Sequence, residues 1–191
     1  DDKTISEKQS ISPEDLRAII ADCQKILMAE RDKRIRPGLD DKTLTSWNGL
    51  MLKGYVDAYL TFGEQHFLDV AIENAKFIVK KQLRKDGGLN HSYKQGRSKI
   101  NAYLEDYAFI VDAFLKLYEA TFDVKWLKEA DALMAYSIEH FYDDESGMFF
   151  FTSDEDPALI ARKMEVNDNV IPASNSVMAN NLFVLSHHYG R

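Results

Sequence analysis

Apolar residues recur at helical spacing in six stretches of this chain, separated by turns rich in glycine, proline and charge. Ser12-Pro13-Glu14-Asp15 reads as an N-cap, a proline at the first helical position and acids in the first turn. Leu16, Ile19, Ile20, Cys23, Ile26 and Leu27 then predict a helix to about Arg34, stopped by Pro37-Gly38. Residues 1–11 read as a loose lead-in. A second helix, capped by Thr45 or Ser46, carries Leu50, Met51, Tyr55, Ala58, Tyr59 and Phe62 on its buried side and ends at Gly63. A third runs from about Gln65 to Leu83, with Phe67, Leu68, Ala71, Ala75, Ile78 and Val79 inward. Asp86-Gly87-Gly88 turns the chain into a short strand-like piece, Leu89–Tyr93, followed by polar Lys94-Gln95-Gly96-Arg97.

The same order then returns. Helices are predicted from about Glu105 to Phe122 and from Lys125 to Phe141, then a turn at Asp143–Gly147 and a strand at Met148–Thr152. A longer loop ends at Pro172, and Ser174 caps a last helix through Met178, Leu182, Phe183 and Leu185. Tyr59 and Tyr118, Leu68 and Leu127, Ala71 and Ala130, and Gly88 and Gly147 are each 59 apart. Matches spanning two helices and a turn indicate a structural repeat of helix, short loop, helix, long loop with a small hairpin. Hairpins of this kind bury their apolar faces only by stacking. A tetratricopeptide solenoid repeats at about 34 residues with short loops, so the longer period favours a closed α/α toroid. Helices starting at Trp47, Glu105 and Asn175 are the inner ones, with their amino termini and polar loops gathered at one end. Free N–H groups there attract anionic or oxygen-rich ligands. A ring of six hairpins needs twelve helices, so the expected organisation is one helical domain over residues 1–191 forming part of a larger ring. Apolar faces left open by a partial ring favour self-association.

Composition narrows the function classes. The net charge is −7 without a basic face, which argues against nucleic acid as a partner. No apolar run approaches the roughly 18 residues of a membrane span, and Asp1-Asp2-Lys3-Thr4 is not the start of a signal peptide. A cytoplasmic location is the expectation. Cys23, the single cysteine, excludes an intrachain disulfide and reads as a small buried thiol. No zinc-protease, phosphate-loop, dinucleotide or nucleophile-elbow motif occurs, so no metal or cofactor is expected.

Several stretches carry a resemblance: Arg36-Pro37 with Asp40-Asp41-Lys42 and Trp47-Asn48-Gly49, Tyr103 through Phe109, Leu117 through Thr121 with Trp126-Leu127, and Pro172 with Asn175-Ser176-Val177. Over roughly residues 31–190 the chain resembles the later helical region of the YyaL-like thioredoxin-domain-containing proteins, whose animal members are named for spermatogenesis. The resemblance implies a six-hairpin, glycosidase-like α/α toroid akin to the N-acylglucosamine 2-epimerases, following a thioredoxin-like domain that these residues do not include. Pro172-Ala173-Ser174 stands where the family pattern has Pro-Ser-Gly.

Each candidate has a structural and a functional reading. Asp40, Asp41 and Lys42 cap and pair among themselves, or present a carboxylate tuned by Lys42 to the cavity. Trp47, beside Asn48, is a core aromatic or a floor for a sugar ring. Glu105 and Asp106 favour a helix start through the dipole alone. In a catalytic cavity Asp106 is the first choice for acid or base, with Asp41 or Asp168 opposite, the carboxylate pair of glycoside hydrolysis. Tyr107, Arg97, Arg162, Glu165, Asn175 and Ser176 complete the candidate binding set. His91, after the hairpin turn, reads as a surface histidine ahead of an epimerisation base. Two functions follow: a carbohydrate-active enzyme of epimerase, isomerase or glycosidase type with a small carbohydrate ligand, or a non-catalytic scaffold that works with a thioredoxin-like domain.

Overall fold

The computed structural model describes residues 2–157 and 160–190, which form two compact units divided after Asp40. In the first unit, α1 (Asp2–Gln9) packs on α2 (Pro13–Asp32). Residues 2–9, read from sequence as a loose lead-in, are therefore helical. Ser10 closes α1 in the left-handed region, and the Ile11 N–H reaches back 3.1 Å to the Ser6 carbonyl. Ser12 caps α2 as its sequence implies, its Oγ accepting from the Asp15 N–H at 3.0 Å. Leu16 is buried, but Ile19, Ile20, Ile26 and Leu27 are exposed, and Cys23 with them. One short helix cannot cover a helix of 20 residues, so the expected buried thiol lies at the surface.

The second unit contains two hairpins and a further helix: α3 (Thr45–Phe62) with α4 (Gln65–Lys81), α5 (Leu104–Thr121) with α6 (Val124–Phe141), then α7 (Ser174–Tyr189). The repeat is exact at the helix starts: Thr45 to Leu104 and Gln65 to Val124 are both steps of 59. Its caps agree, since Gly63 and Phe122 both take left-handed backbone and donate to Tyr59 and Tyr118. α5 lies between α3 and α7, while α4 and α6 pack outside their partners. That central place explains why α5 is buried almost all round, from Leu104 through Leu117.

α3 buries Thr45, Ser46, Gly49, Leu52 and Val56, whereas Met51 and Phe62 of the expected face are exposed. A Cβ on Gly49 would lie 2.8 Å from the Phe109 carbonyl carbon. The small-residue face is thus the one that lets α3 approach α5. Close approach decides the orientation here, and a count of apolar residues misses it. Ile138 on α6 is likewise exposed.

In the long loop of the first repeat, β2 (Asn90–Lys94) and β3 (Arg97–Asn101) form a hairpin, which β1 (Thr43–Leu44), just ahead of α3, joins to make a three-stranded antiparallel sheet ordered β1-β2-β3. Gln95 and Gly96, both at positive φ, make the two-residue turn that pairs Lys94 with Arg97. The polar turn was legible in sequence; the third strand was not, because its residues carry little hydrophobic alternation. The second loop is smaller, with β4 (Tyr142–Asp143) paired to β5 (Met148–Phe149). Among the described residues no helix is long and apolar enough to cross a membrane.

Candidate functional site

The first N–H groups of a helix have no partner inside it, and the inner helices meet this need with acids rather than with their own hydroxyl caps. At α3 neither Thr45 nor Ser46 is the cap expected from sequence: Leu44 holds that position, and the Ser46 N–H donates to Oδ1 of Asp106 at 2.7 Å. Oδ2 of the same carboxylate accepts from the Tyr103 N–H at 2.9 Å. Asp106 thus ties the starts of α3 and α5 together. At α7, Ala173 rather than Ser174 is the cap residue. Its N–H donates to Asp168 at 2.8 Å, and the Ser174 hydroxyl donates to Glu165 at 3.0 Å.

Asp106 is 0% exposed and has one further partner: Nδ1 of His91 lies 2.9 Å from Oδ2. Facing a carboxylate, Nδ1 carries the proton, which leaves Nε2 as the nitrogen that exchanges one. The edge of the Tyr103 ring packs against the imidazole with centroids 4.9 Å apart, and Tyr103 stacks on Phe151 at 5.1 Å. Glu105 stands next to this pair, its Oε1 accepting from the Ser46 hydroxyl at 3.1 Å. The half-buried His91, with Asp106 beneath it and aromatic rings beside it, is the residue sequence reading undervalued. The available signal was its place on a strand that enters the repeat just before the α5 start.

Electrostatics separate the three groups. The hydrogen bond to Asp106 raises the His91 pKa above its ordinary value, although burial works against it. Burial pushes the Asp106 carboxyl upward, opposed by His91 and the two backbone N–H groups. Glu105 is raised by burial and then by the Asp106 charge, so it holds a proton to higher pH than a free glutamate. Donor atoms of His91, Glu105 and Asp106 lie within 4.8 Å of one another, close enough to ligate one cation. Yet His91 Nδ1 and both Asp106 oxygens are already committed to each other and to backbone N–H groups.

The remaining candidates disperse. Tyr107 is buried in the core, stacked on Tyr136, and its hydroxyl accepts from the Leu89 N–H. Asn48 donates to the Leu44 carbonyl at 2.7 Å. Asn175 accepts from the Phe149 N–H at 2.8 Å and donates to the carbonyls of Phe149 and Glu165. Arg162 packs over the Phe150 ring and donates to the Thr152 carbonyl. Asp41 is exposed and ion-paired with Lys94. Lys42 and Arg97 line a cavity against β2 and β3. Trp47, beside Ser46 on α3, is 65% exposed, and Ser176 is exposed on the first turn of α7. Asp40 falls in the first unit. Of the three carboxylates proposed for hydrolysis, only Asp106 joins the His91 cluster.

No family model matches the sequence. The chain is 32% identical over 191 residues to the uncharacterized protein B0495.5 of Caenorhabditis elegans, across 96% of this chain. It is 31% identical over 182 residues to spermatogenesis-associated protein 20 of Homo sapiens, across 90% of this chain. The chain belongs to the family of spermatogenesis-associated protein 20. It spans 26% and 23% of the length of these two relatives, about a quarter of each. Solved structures share its fold. The GH76 alpha-mannanase of Bacteroides thetaiotaomicron superposes with TM-score 0.63 at 18% identity, over 83% of this chain and 39% of that one. Cellobiose 2-epimerase from Bacillus thermoamylovorans gives 0.64 at 14%, over 78% and 40%, and a D-mannose isomerase 0.63 at 12%, over 78% and 37%. These likenesses show the fold of an α/α toroid.

Proposed function

We propose that this family member acts on carbohydrate by proton transfer, as a sugar epimerase or isomerase, with His91 as the acid–base group. The observation that carries the reading is the His91–Asp106 pair at the amino-terminal end of α3 and α5. A buried carboxylate fixes the tautomer and orientation of an imidazole and stabilises its protonated form, which is how histidine bases are commonly prepared. In the open-chain form of an aldose, Nε2 of His91 takes the proton from the carbon next to the carbonyl. The C–H electron pair forms the new C=C bond as the carbonyl π pair moves to oxygen, where the proton of Glu105 neutralises it. From the enediol, His91 exchanges its proton with solvent and a solvent proton reaches the opposite face of C2 as the O1 hydroxyl returns its proton to Glu105, which gives the epimer. Delivery of the His91 proton to C1, with the O2 hydroxyl proton passing to Glu105, gives the ketose. Tyr103 and Phe151 offer an apolar wall, and exposed Trp47 a face suited to the C–H side of a sugar. Epimerases and isomerases among the structures of like fold agree with this assignment at the level of fold.

The hydrolytic reading draws less support. A nucleophile or base needs an open carboxylate oxygen, and Asp106 has its two oxygens engaged by Ser46, Tyr103 and His91. The test uses the full-length protein in deuterated water with a panel of aldoses and disaccharides, followed by proton NMR. Deuterium at C2 of an epimer, or at C1 of a ketose, is expected, and His91→Asn should abolish it. Reducing ends released without C2 exchange would move the assignment to hydrolysis. Neither signal with any sugar would leave the scaffold reading in its place.

A further inference from the structure

The strand ladder around His91 is interrupted at His91 itself. β2 pairs Asn90 with Asn101 and Ser92 with Lys99 on β3, and the ladder passes over His91, where β3 holds Ile100 at φ 65°. On the other side β1 ends at Leu44, opposite Ser92, one residue short of a partner for His91. A two-stranded hairpin is marginally stable in water by itself. Yet the imidazole keeps a 2.9 Å contact with Asp106, so its backbone is fixed by something other than the ladder.

Two buried hydroxyls at helix starts do this. The Tyr107 hydroxyl accepts from the Leu89 N–H at 2.8 Å, and the Thr45 hydroxyl donates to the Asn90 carbonyl at 2.5 Å. Gln82 sets the direction of the second bond. Its side-chain amide donates to Thr45 Oγ1 at 2.8 Å, which leaves the hydroxyl proton for Asn90. The Gln82 backbone carbonyl in turn accepts from the Asn90 N–H at 2.9 Å. The two residues ahead of His91 are thereby tied to the starts of α3 and α5 and the end of α4. Thr45 does not use its hydroxyl to cap α3, the ordinary task of a threonine in that place. Tyr107 follows Asp106 in sequence, so one turn of α5 grips β2 twice, at the imidazole and at the backbone. The Tyr107 ring is itself clamped, stacked on Tyr136 with centroids 5.5 Å apart and tilted against Phe141 at 5.1 Å.

We propose that Thr45 and Tyr107 are positioning residues for His91: by holding Leu89 and Asn90 they keep the imidazole on Asp106 with Nδ1 as the protonated nitrogen. The consequence for catalysis rests on the reading of His91 as the acid–base group, whereas the tether is a property of the free protein. An imidazole released from Asp106 exchanges between tautomers, and Nε2 is then the free base for only part of the time. Loss of that alignment lowers kcat more than it changes KM. A misplacement of about 1 Å costs up to about a hundredfold in rate.

The experiment is nitrogen and proton NMR of the His91 ring in the full-length protein without ligand. The neutral ring of the parent should show one tautomer, protonated at Nδ1, with slow solvent exchange of that proton. Tyr107→Phe keeps the ring and removes the hydroxyl, and Thr45→Val keeps the shape and removes the hydroxyl. Each should give mixed tautomers and an Nδ1 proton that exchanges faster by about tenfold or more. Thr45→Ser, which restores the hydroxyl, should return the parent signals. Val56→Ala trims a buried side chain on the later half of α3, and it should lower the melting temperature without altering the ring. With any aldose the parent converts, kcat should fall by about tenfold in Tyr107→Phe and Thr45→Val at little-changed KM. Parent-like ring signals in both variants, or the same changes in Val56→Ala, overturn the proposal. A parent that converts no sugar would remove the reaction assigned to His91, and the ring signals would still decide the tether.

Discussion

Asp106 should be as much a structural joint as a functional group, and its replacement separates the two roles. Its two oxygens accept from backbone N–H groups on different helices, Ser46 at 2.7 Å and Tyr103 at 2.9 Å. In Asp106→Ala both donors lose their acceptor, Ser46 in a buried and Tyr103 in a partly buried position. An unsatisfied buried donor costs about 1–3 kcal/mol, so the expected loss is about 2–6 kcal/mol, a large part of the 5–15 kcal/mol that holds a typical domain. Asp106→Asn keeps one oxygen, and its amide group faces the other N–H. Its cost should be about half, with greater loss at whichever of Ser46 or Tyr103 meets the amide. Hydrogen exchange followed by NMR on the full-length protein reads the helix starts locally. Protection of the Ser46 and Tyr103 amides should fall by about tenfold or more in Asp106→Asn and furthest in Asp106→Ala, with the α4 amides little changed in the Asn variant. Equal protection in parent and alanine variant would refute the joint. Loss confined to His91 chemistry, with both amides unaffected, would make Asp106 purely a partner of the imidazole.

Two further outcomes follow from the same geometry. Because Asp106 raises the His91 pKa above 6.5, the stability of that pair is fully present below this value and is lost as pH rises through the higher folded-state value. The melting temperature of the parent should therefore fall more steeply than that of His91→Gln as pH rises above 6.5, and parallel curves would contradict the pairing. Gly49→Ala places a Cβ 2.8 Å from the Phe109 backbone. Overpacking of this kind costs about 1–3 kcal/mol, and an unchanged melting temperature would mean that α3 and α5 are farther apart than described.

Much of the architecture was legible from the chain alone. The offset of 59 residues, visible in Tyr59 and Tyr118 or Gly88 and Gly147, anticipated matched helix starts, because a repeated unit repeats its caps and turns along with its apolar face. Ser12 capped α2 as written, since a cap and its N–H partner are neighbours in sequence. The starts of α3 and α7 misled for the opposite reason. Thr45, Ser46 and Ser174 have the right chemistry for local caps, but acids 60 residues away for Ser46 and 9 for Ser174 satisfy those N–H groups instead. Cys23 was assigned inward from periodicity, which gives a stripe but not what lies against it.

The site divides in the same way. Sequence located the acidic residues at helix starts, where the dipole favours them whatever their function, and so could name Glu105 and Asp106. It could not show that His91, on a strand 15 residues earlier, lies 2.9 Å from Asp106. Nor could it show that Asp41 and Asp168 serve other partners. Residue type and spacing determined the repeat, the helices and the end of the bundle where polar groups gather. Which of those groups meet was decided only by the packing of α3 on α5, because proximity across helices depends on how closely two backbones approach. Gly49 against Phe109 sets that approach.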